Sequence, residues 1–313
     1  MKVLVMGTGG VGGYYGGLLA QQGTDVTFIA RGEHLKAMRS HGLQVKSIHG
    51  DFHVKPANVA DNPAEVGIVD LILFCVKTYH TDDAAKAIQP AVGPQTLVLS
   101  LQNGIDAAER IGAVVGLEHV IGGATWLSSA VEAPGVIKQV SQFLRIVFGE
   151  LDGSHSARIQ SLYEVLKNTG ITVEVSEDIL KILWTKFVFI AAVSSLGSLT
   201  RLPMGDYRSV PETRGLLSGI MREVEALARV QKIVLDDNVV VKSLEFIDNS
   251  GAHIKPSMQL DIESGRRTEI ESMIGVIGRK GRQLGIPTPA ADFVYASLLP
   301  VELKARNSLS PAP

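Results

Sequence analysis

One cysteine in 313 residues leaves this chain unable to form a disulfide within itself. That residue, Cys75, sits in the run Leu71-Ile72-Leu73-Phe74-Cys75-Val76, where burial in a strand is its plain reading. A thiol-poor chain of this kind fits a reducing compartment, so the expected localisation is cytoplasmic. An excess of either charge is missing too. The 30 Lys and Arg against 32 Asp and Glu leave a formal net charge of −2, and no dense basic run interrupts that balance, so no nucleic-acid partner is expected. The eight histidines form no useful cluster. There is no H-E-x-x-H, no paired cysteine ligand and no G-x-S-x-G, so neither a metal centre nor an α/β-hydrolase nucleophile is expected. Long apolar runs are absent as well: residues 187–199 fall about five short of the roughly 18 that an unaided membrane span needs. Lys186 and Arg201 close that stretch, and no membrane association is expected. Lys2 ahead of an apolar stretch has the outline of a signal peptide, but the glycines that follow break any hydrophobic helix.

What the chain does carry begins at once. Lys2-Val3-Leu4-Val5-Met6 is the apolar run of a buried parallel strand, and Gly7-Thr8-Gly9-Gly10-Val11-Gly12 follows it directly. Glycines in this G-x-G-x-x-G spacing let the chain turn sharply, bring its backbone against a pyrophosphate and pack the next helix close to the sheet. The helix start then offers unpaired N–H groups to the phosphate. Residues 11–22 read as that helix, Gly23 ends it, and residues 25–30 read as a second strand. The competing reading is a glycine-rich turn that binds nothing. At the end of the second strand, where an NAD-binding chain places an acid for the ribose 2′-hydroxyl, stands Arg31. Its guanidinium suits a 2′-phosphate instead, which points to NADP(H). Arg31 as an ordinary surface charge is the alternative.

With 45% hydrophobic residues over this length, two domains are the expectation. Buried-strand runs recur at 70–76, 96–101 and 120–125, with extended segments near 43–45 and 52–54 and helical candidates between them. That alternation predicts an α/β fold, a Rossmann-type doubly wound parallel sheet. A helix over 154–169 and a strand over 171–175 close this half. Helices are then expected over 178–194, 212–231, 236–249, 267–284 and 290–303, with no convincing strand. The boundary falls near residue 176: residues 1–176 form the NADP-binding Rossmann domain and 177–313 an all-helical substrate and catalytic domain. Residues 308–313 are expected to fray.

Ligands of doubly wound sheets lie outside the carboxyl ends of the strands, and the glycine turn, Arg31, Lys77 and Gln102-Asn103-Gly104 all follow predicted strands. Lys77 is suited to a phosphate or ribose, and Asn103 to a cofactor or substrate through its donor and acceptor together. A solvated lysine and an ordinary turn are the plain readings of the two. A small substrate should meet the nicotinamide in the crevice between the halves. Lys186 lies in an almost wholly apolar helix, so its ammonium must snorkel, find a carboxylate or face a wet cleft. A lysine aimed at a carbonyl oxygen would stabilise the developing alkoxide and donate its proton. Glu269 is the matching acid, expected on the flank of the 267–284 helix, where it could hold Lys186 charged, bind a ribose hydroxyl, or be a plain surface acid. Ser257, after Pro256, reads as a helix cap or as one wall of a carboxylate site.

Taken in order, Gly7 to Gly12 with Arg31, Val76-Lys77, Leu101-Gln102-Asn103-Gly104, Trp184-Thr185-Lys186, Pro256-Ser257-Met258 with Asp261, and Arg267-Thr268-Glu269 resemble the ketopantoate reductase (2-dehydropantoate 2-reductase) family. The resemblance covers nearly the whole chain. It implies NADPH-dependent reduction of 2-dehydropantoate to pantoate, a step toward coenzyme A. By similarity Lys186 is the general acid, Asn103 and Ser257 help place substrate, Glu269 contacts cofactor or substrate, and Lys77 and Arg31 lie along NADPH. The chain also departs from the family pattern. Well-studied members carry asparagines one and two turns after the lysine that contact substrate, and here those places hold Ile190 and Ser194, leaving Ser194 as the remaining polar candidate. Ile274 stands where another asparagine is frequent. Each lost partner costs roughly 1–3 kcal/mol for a hydroxylated substrate if nothing replaces it. A related 2-oxo acid with a less polar tail is therefore an alternative substrate. A noncatalytic NADPH sensor acting through a protein partner is the alternative from another class, and the joint presence of Lys186 and Glu269 favours the enzyme. A homodimer, paired through the helical half, is the oligomer considered.

Overall fold

The structure, a computed structural model, describes residues 1–307, so the tail from 308 to 313 lies outside the described residues. It divides into two compact units: Met1–Gln102 with Ala107–Ile182, and Asn103–Asp106 with the chain from Leu183 onward.

The first unit opens with β1 (Lys2–Met6), α1 (Gly10–Gln21), β2 (Asp25–Ile29) and α2 (Gly32–His41). Three short strands follow, β3 (Leu43–Ser47), β4 (Phe52–Val54) and β5 (Asn58–Ala60), then β6 (Leu71–Phe74) and α3 (Thr81–Ile88). The chain continues through β7 (Leu97–Ser100), α4 (Ala107–Val115), β8 (Val120–Trp126), β9 (Ser129–Ala133) and β10 (Val136–Gln139). It closes with β11 (Arg145–Gly149), α5 (Ala157–Lys167) and β12 (Thr172–Val175).

Eight strands form the main sheet in the order β12-β11-β8-β7-β6-β1-β2-β5. From β5 to β8 every pair is parallel, as a Rossmann-type sheet requires, whereas β11 joins β8 antiparallel. The central strands are apolar throughout because both faces are covered. Along β1 and β6 the side chains alternate between two cores. Val3, Val5, Leu71 and Leu73 join Phe28 and Tyr15 on one face, and Leu4, Met6, Ile72 and Phe74 meet Ala85 and Ile88 on the other. Each such side chain, fully buried, contributes about 1.5–3 kcal/mol.

A second sheet, β4-β3-β10-β9, is only half expected from the sequence: β3 and β4 coincide with the extended segments near 43–45 and 52–54, while β9 and β10, like β11 of the main sheet, lie beyond what the sequence pattern predicts. β9 is exposed along nearly its whole length, so it carries no apolar alternation to read. The turn joining it to β10 does leave a signal, Pro134-Gly135, with Gly135 at φ +76°. This sheet covers the outer side of α1, which explains the doubled glycines of that helix. Gly12 and Gly16 lie against Val5 and Phe28 of the main sheet, and Gly10, Gly13 and Gly17 lie against Ser129, Ile137 and Phe52 of the second. At these five positions a Cβ would crowd one sheet or the other.

The second unit carries helices and no strand among its described residues. Helix α6 (Ile179–Thr200) starts at the end of the first unit and runs into this one. α7 (Met204–Ser209), α8 (Pro211–Val230), α9 (Val239–Asn249) and α10 (Ser257–Glu263) follow. A single π-helical turn, Glu271–Gly275, then leads into α11 (Val276–Leu284), and α12 (Pro289–Ala305) ends the described chain. α6 extends to Thr200, beyond the expected end at Ser194. By length and composition it is apolar enough to cross a membrane, yet 56% of its apolar window is buried in the protein. Phe187, Val188, Ala191, Ala192 and Leu196 make it the spine of this core, against Leu217, Ile220, Met221 and Val224 of α8.

Candidate active site

In the first unit the candidate residues gather at the turn after β1. The sheet order reverses between β1 and β6, and in open α/β sheets ligands lie beyond the strand ends at such a switch point. Gly7 takes φ +98°, and a Cβ there would stand 2.9 Å from the backbone N of Val76. Thr8 locks the turn to β2: its backbone N–H and its hydroxyl both donate to the Ile29 carbonyl, at 3.1 and 2.9 Å. Its side chain therefore shapes the cradle. A Cβ on Gly9 would meet no atom within 4 Å, so the backbone at this point faces open space. No side chain caps α1, and the N–H groups of its first turn, through Gly10, Val11 and Gly12, have no intrahelical acceptors. A concavity of bare amides at a helix start fits a dinucleotide pyrophosphate. Arg31 stands exposed at the amino end of α2, two residues beyond the carbonyl that Thr8 grips. Lys77 is half-buried just past β6, where its carbonyl accepts from the His80 N–H at 2.8 Å.

Gln102 has a part that the sequence does not reveal. Its Nε2 donates to the Val76 carbonyl and to Thr81 Oγ1, each at 2.9 Å, tying the end of β7 to the chain beyond β6. A buried amide satisfied in this way fixes the strand ends from which Lys77 departs.

The second unit holds a cluster of its own. Lys186 Nζ donates to Asn103 Oδ1 at 3.0 Å. Burial among apolar neighbours pushes the Lys186 ammonium down to about pKa 8, and the negative charge of Glu269 opposes that shift. Asn103, Lys186 and Glu269 are thus brought together from three well-separated parts of the chain.

Glu269 does not sit on a helix flank as expected. Residues 266–269 are non-helical, and the Glu269 carbonyl accepts the Ser272 and Met273 N–H groups at the entry to the following turn. Just ahead of it, Thr268 gives both its backbone N–H and its hydroxyl to Glu302, at 2.8 and 2.6 Å, which anchors this non-helical segment. Ser257 is likewise not a cap: it is the first residue of α10, exposed, with Pro256 in the cap position. Ser194 is buried, 2% exposed, two turns beyond Lys186 on α6. Ile190, one turn beyond Lys186, is half-buried.

Comparison with known proteins now decides the family. The ketopantoate reductase PanE/ApbA model matches residues 3–153, and its C-terminal counterpart matches residues 178–302. The chain belongs to the ketopantoate reductase PanE/ApbA family. A 2-dehydropantoate 2-reductase of Mesorhizobium japonicum is 29% identical over 95% of this chain and 96% of its own length. The crystal structure of a PanE/ApbA family ketopantoate reductase from Ralstonia eutropha JMP134 superposes with a TM-score of 0.90 at 31% identity, over 98% of this chain and 100% of that one. A D-mandelate dehydrogenase, solved with NADH and anilino(oxo)acetate, gives a TM-score of 0.89 at 26% identity, over 98% and 99%. The chain is accordingly an oxidoreductase of the 2-dehydropantoate 2-reductase type. Within this family fold the residue most completely missed by sequence reasoning is Glu302. Its signal is an acid on the stripe formed by Ala291, Val294 and Leu298, all of them buried.

Proposed function

We propose that this chain reduces a 2-oxo acid to the 2-hydroxy acid with NADPH as reductant, and that 2-dehydropantoate is the first substrate to test. The observation that carries the reading is the Lys186 ammonium, hydrogen-bonded to Asn103 and made acidic by burial. When bound, the cofactor supplies the hydride that turns the ketone carbon into an alcohol carbon. The turn from Gly7 to Gly12 would hold its pyrophosphate, Arg31 its 2′-phosphate, and Lys77 a phosphate or ribose oxygen. As charge develops on the carbonyl oxygen, Lys186 Nζ donates a proton to it and is left as the neutral amine. Asn103 Oδ1 accepts from Nζ and fixes its direction, and Glu269 keeps enough of the lysine charged to act. Asn103, Ser194 and Ser257 are the polar groups left to place substrate. The reaction would belong to the cytoplasm, and with 2-dehydropantoate it would serve pantothenate synthesis.

An acid titrating near pH 8 is mostly protonated at neutrality. The fraction carrying the proton falls as pH rises through that value, so reduction should slow about tenfold per unit further up. NADPH oxidation by purified protein, followed with a panel of 2-oxo acids from about pH 6 to pH 10, tests both points. Binding of NADPH without oxidation of any acid in the panel would point to the sensor reading instead.

The same panel decides between substrates. Ile190 on the Lys186 side of α6 supports a 2-oxo acid with an apolar tail, and the D-mandelate dehydrogenase was solved with a molecule bearing a phenyl ring. On that reading an aromatic or branched 2-oxo acid without a hydroxyl on its tail outruns 2-dehydropantoate by on the order of tenfold in kcat/KM. Arg31→Ala should lower the NADPH over NADH preference by roughly tenfold, since a forked, charge-assisted contact to the 2′-phosphate is lost. Equal kcat/KM ratios for the two cofactors before and after the substitution would exclude Arg31 from that contact.

A further inference from the structure

We infer that Glu302 positions Glu269 against Lys186, acting through Thr268. The inference rests on the proposed roles of Lys186 and Glu269 and assigns a duty to a residue on a helix that carries neither.

Glu302 lies on the core-facing stripe of α12 and is only 2% exposed. A carboxylate so placed is costly unless donors surround it. Its Oε2 accepts from the backbone N–H and the hydroxyl of Thr268, and its Oε1 accepts from Arg306 Nε, with Arg267 Nε at 3.9 Å. The charged groups facing it are therefore Arg267 and Arg306. The two bonds to Thr268 anchor that residue just ahead of the helix that follows. Glu269, next in the chain, is then fixed from the other side as well, because its carbonyl accepts the Ser272 and Met273 N–H groups. A main chain gripped immediately before and immediately after a residue leaves that residue's side chain a narrow range of directions. Here that side chain is the acid whose charge acts on Lys186. Arrangements of this kind, in which a supporting carboxylate orients a functional one, give a site its precision.

The test follows the titration of Lys186 itself, in the protein without cofactor, by the NMR signal of its ε-carbon, assigned through Lys186→Arg. Glu302→Met removes both acceptors at similar volume, and Thr268→Val removes the hydroxyl while keeping the carboxylate and its arginines. With Glu269 loosened, less negative charge opposes the effect of burial, so Lys186 should titrate at lower pH by roughly half a unit or more. The high-pH fall in kcat should move by the same amount. Glu302→Gln restores one acceptor to Thr268 and should return the titration part of the way. An unmoved Lys186 titration in the folded variants, even with a lower Tm, overturns the inference and leaves Glu302 a structural residue only. Should Glu302→Met fail to fold, the titration in Thr268→Val alone decides between the two outcomes. Full activity in Lys186→Ala would remove the proposed reaction while leaving the titration result to stand or fall by itself.

Discussion

Lys186→Ala should lower the rate of 2-oxo acid reduction by roughly a hundredfold to ten-thousandfold, the usual worth of a positioned general acid. NADPH affinity should stay within a few fold, because the proposed cradle for the cofactor, Gly7 to Gly12 with Arg31 and Lys77, does not include Lys186. The loss should fall on kcat, since a proton delivered as the alkoxide forms is an interaction made in the transition state. Folding should survive: the alanine removes an ammonium that burial already penalises, on a helix whose core contacts run through Phe187, Val188, Ala191 and Leu196. Lys186→Arg is the companion measurement. It keeps a cation beside Asn103 and yields its proton far less readily, so it should rescue binding of the acid without rescuing turnover. Single-turnover NADPH oxidation in both variants, with fluorescence titration of NADPH, separates these outcomes. A Lys186→Ala protein that still turns over at about a tenth of the wild-type rate would leave the proton to come from another group.

How much of the molecule is legible in its sequence follows from where each signal is stored. The β1 strand and the glycine turn are contiguous, and a run buried on both faces announces itself by apolarity alone. Lys186 is visible because a charge in an apolar helix is conspicuous whatever surrounds it. Glu269 is visible as a residue, but its conformation is not. The non-helical residue before it, Thr268, is bonded to Glu302, 34 positions later, and no local propensity encodes that bond. The second sheet is half hidden for a similar reason: β3 pairs with β10 across some 90 residues, and exposed β9 offers no periodicity. Strand-end placement and a helix start make Asn103 and Ser257 candidates beside plainer readings, the family resemblance favours substrate placement for both, and only the structure shows the Lys186 hydrogen bond to Asn103.

The adjacent pair Gly9 and Gly10 should separate ligand binding from packing, because their surroundings are opposite. A Cβ on Gly10 would collide with the Ser129 carbonyl oxygen and come within 2.8 Å of Ala130 N, both backbone atoms of β9. Neither can yield without moving the strand, so Gly10→Ala should cost about 3 kcal/mol, at the upper end for overpacking, and lower Tm by roughly 5–10 °C. A Cβ on Gly9 meets nothing within 4 Å, and its backbone at φ −84° is open to any residue. Gly9→Ala should therefore leave Tm within about 2 °C of wild type. The same methyl would stand in the space over the helix start where a pyrophosphate must approach the amides, so NADPH affinity should fall by roughly tenfold or more. Thermal melts without cofactor and NADPH titrations on both variants decide the matter. If Gly9→Ala binds NADPH as tightly as wild type, the open space before α1 is not the phosphate cradle, however well the turn matches the sequence pattern.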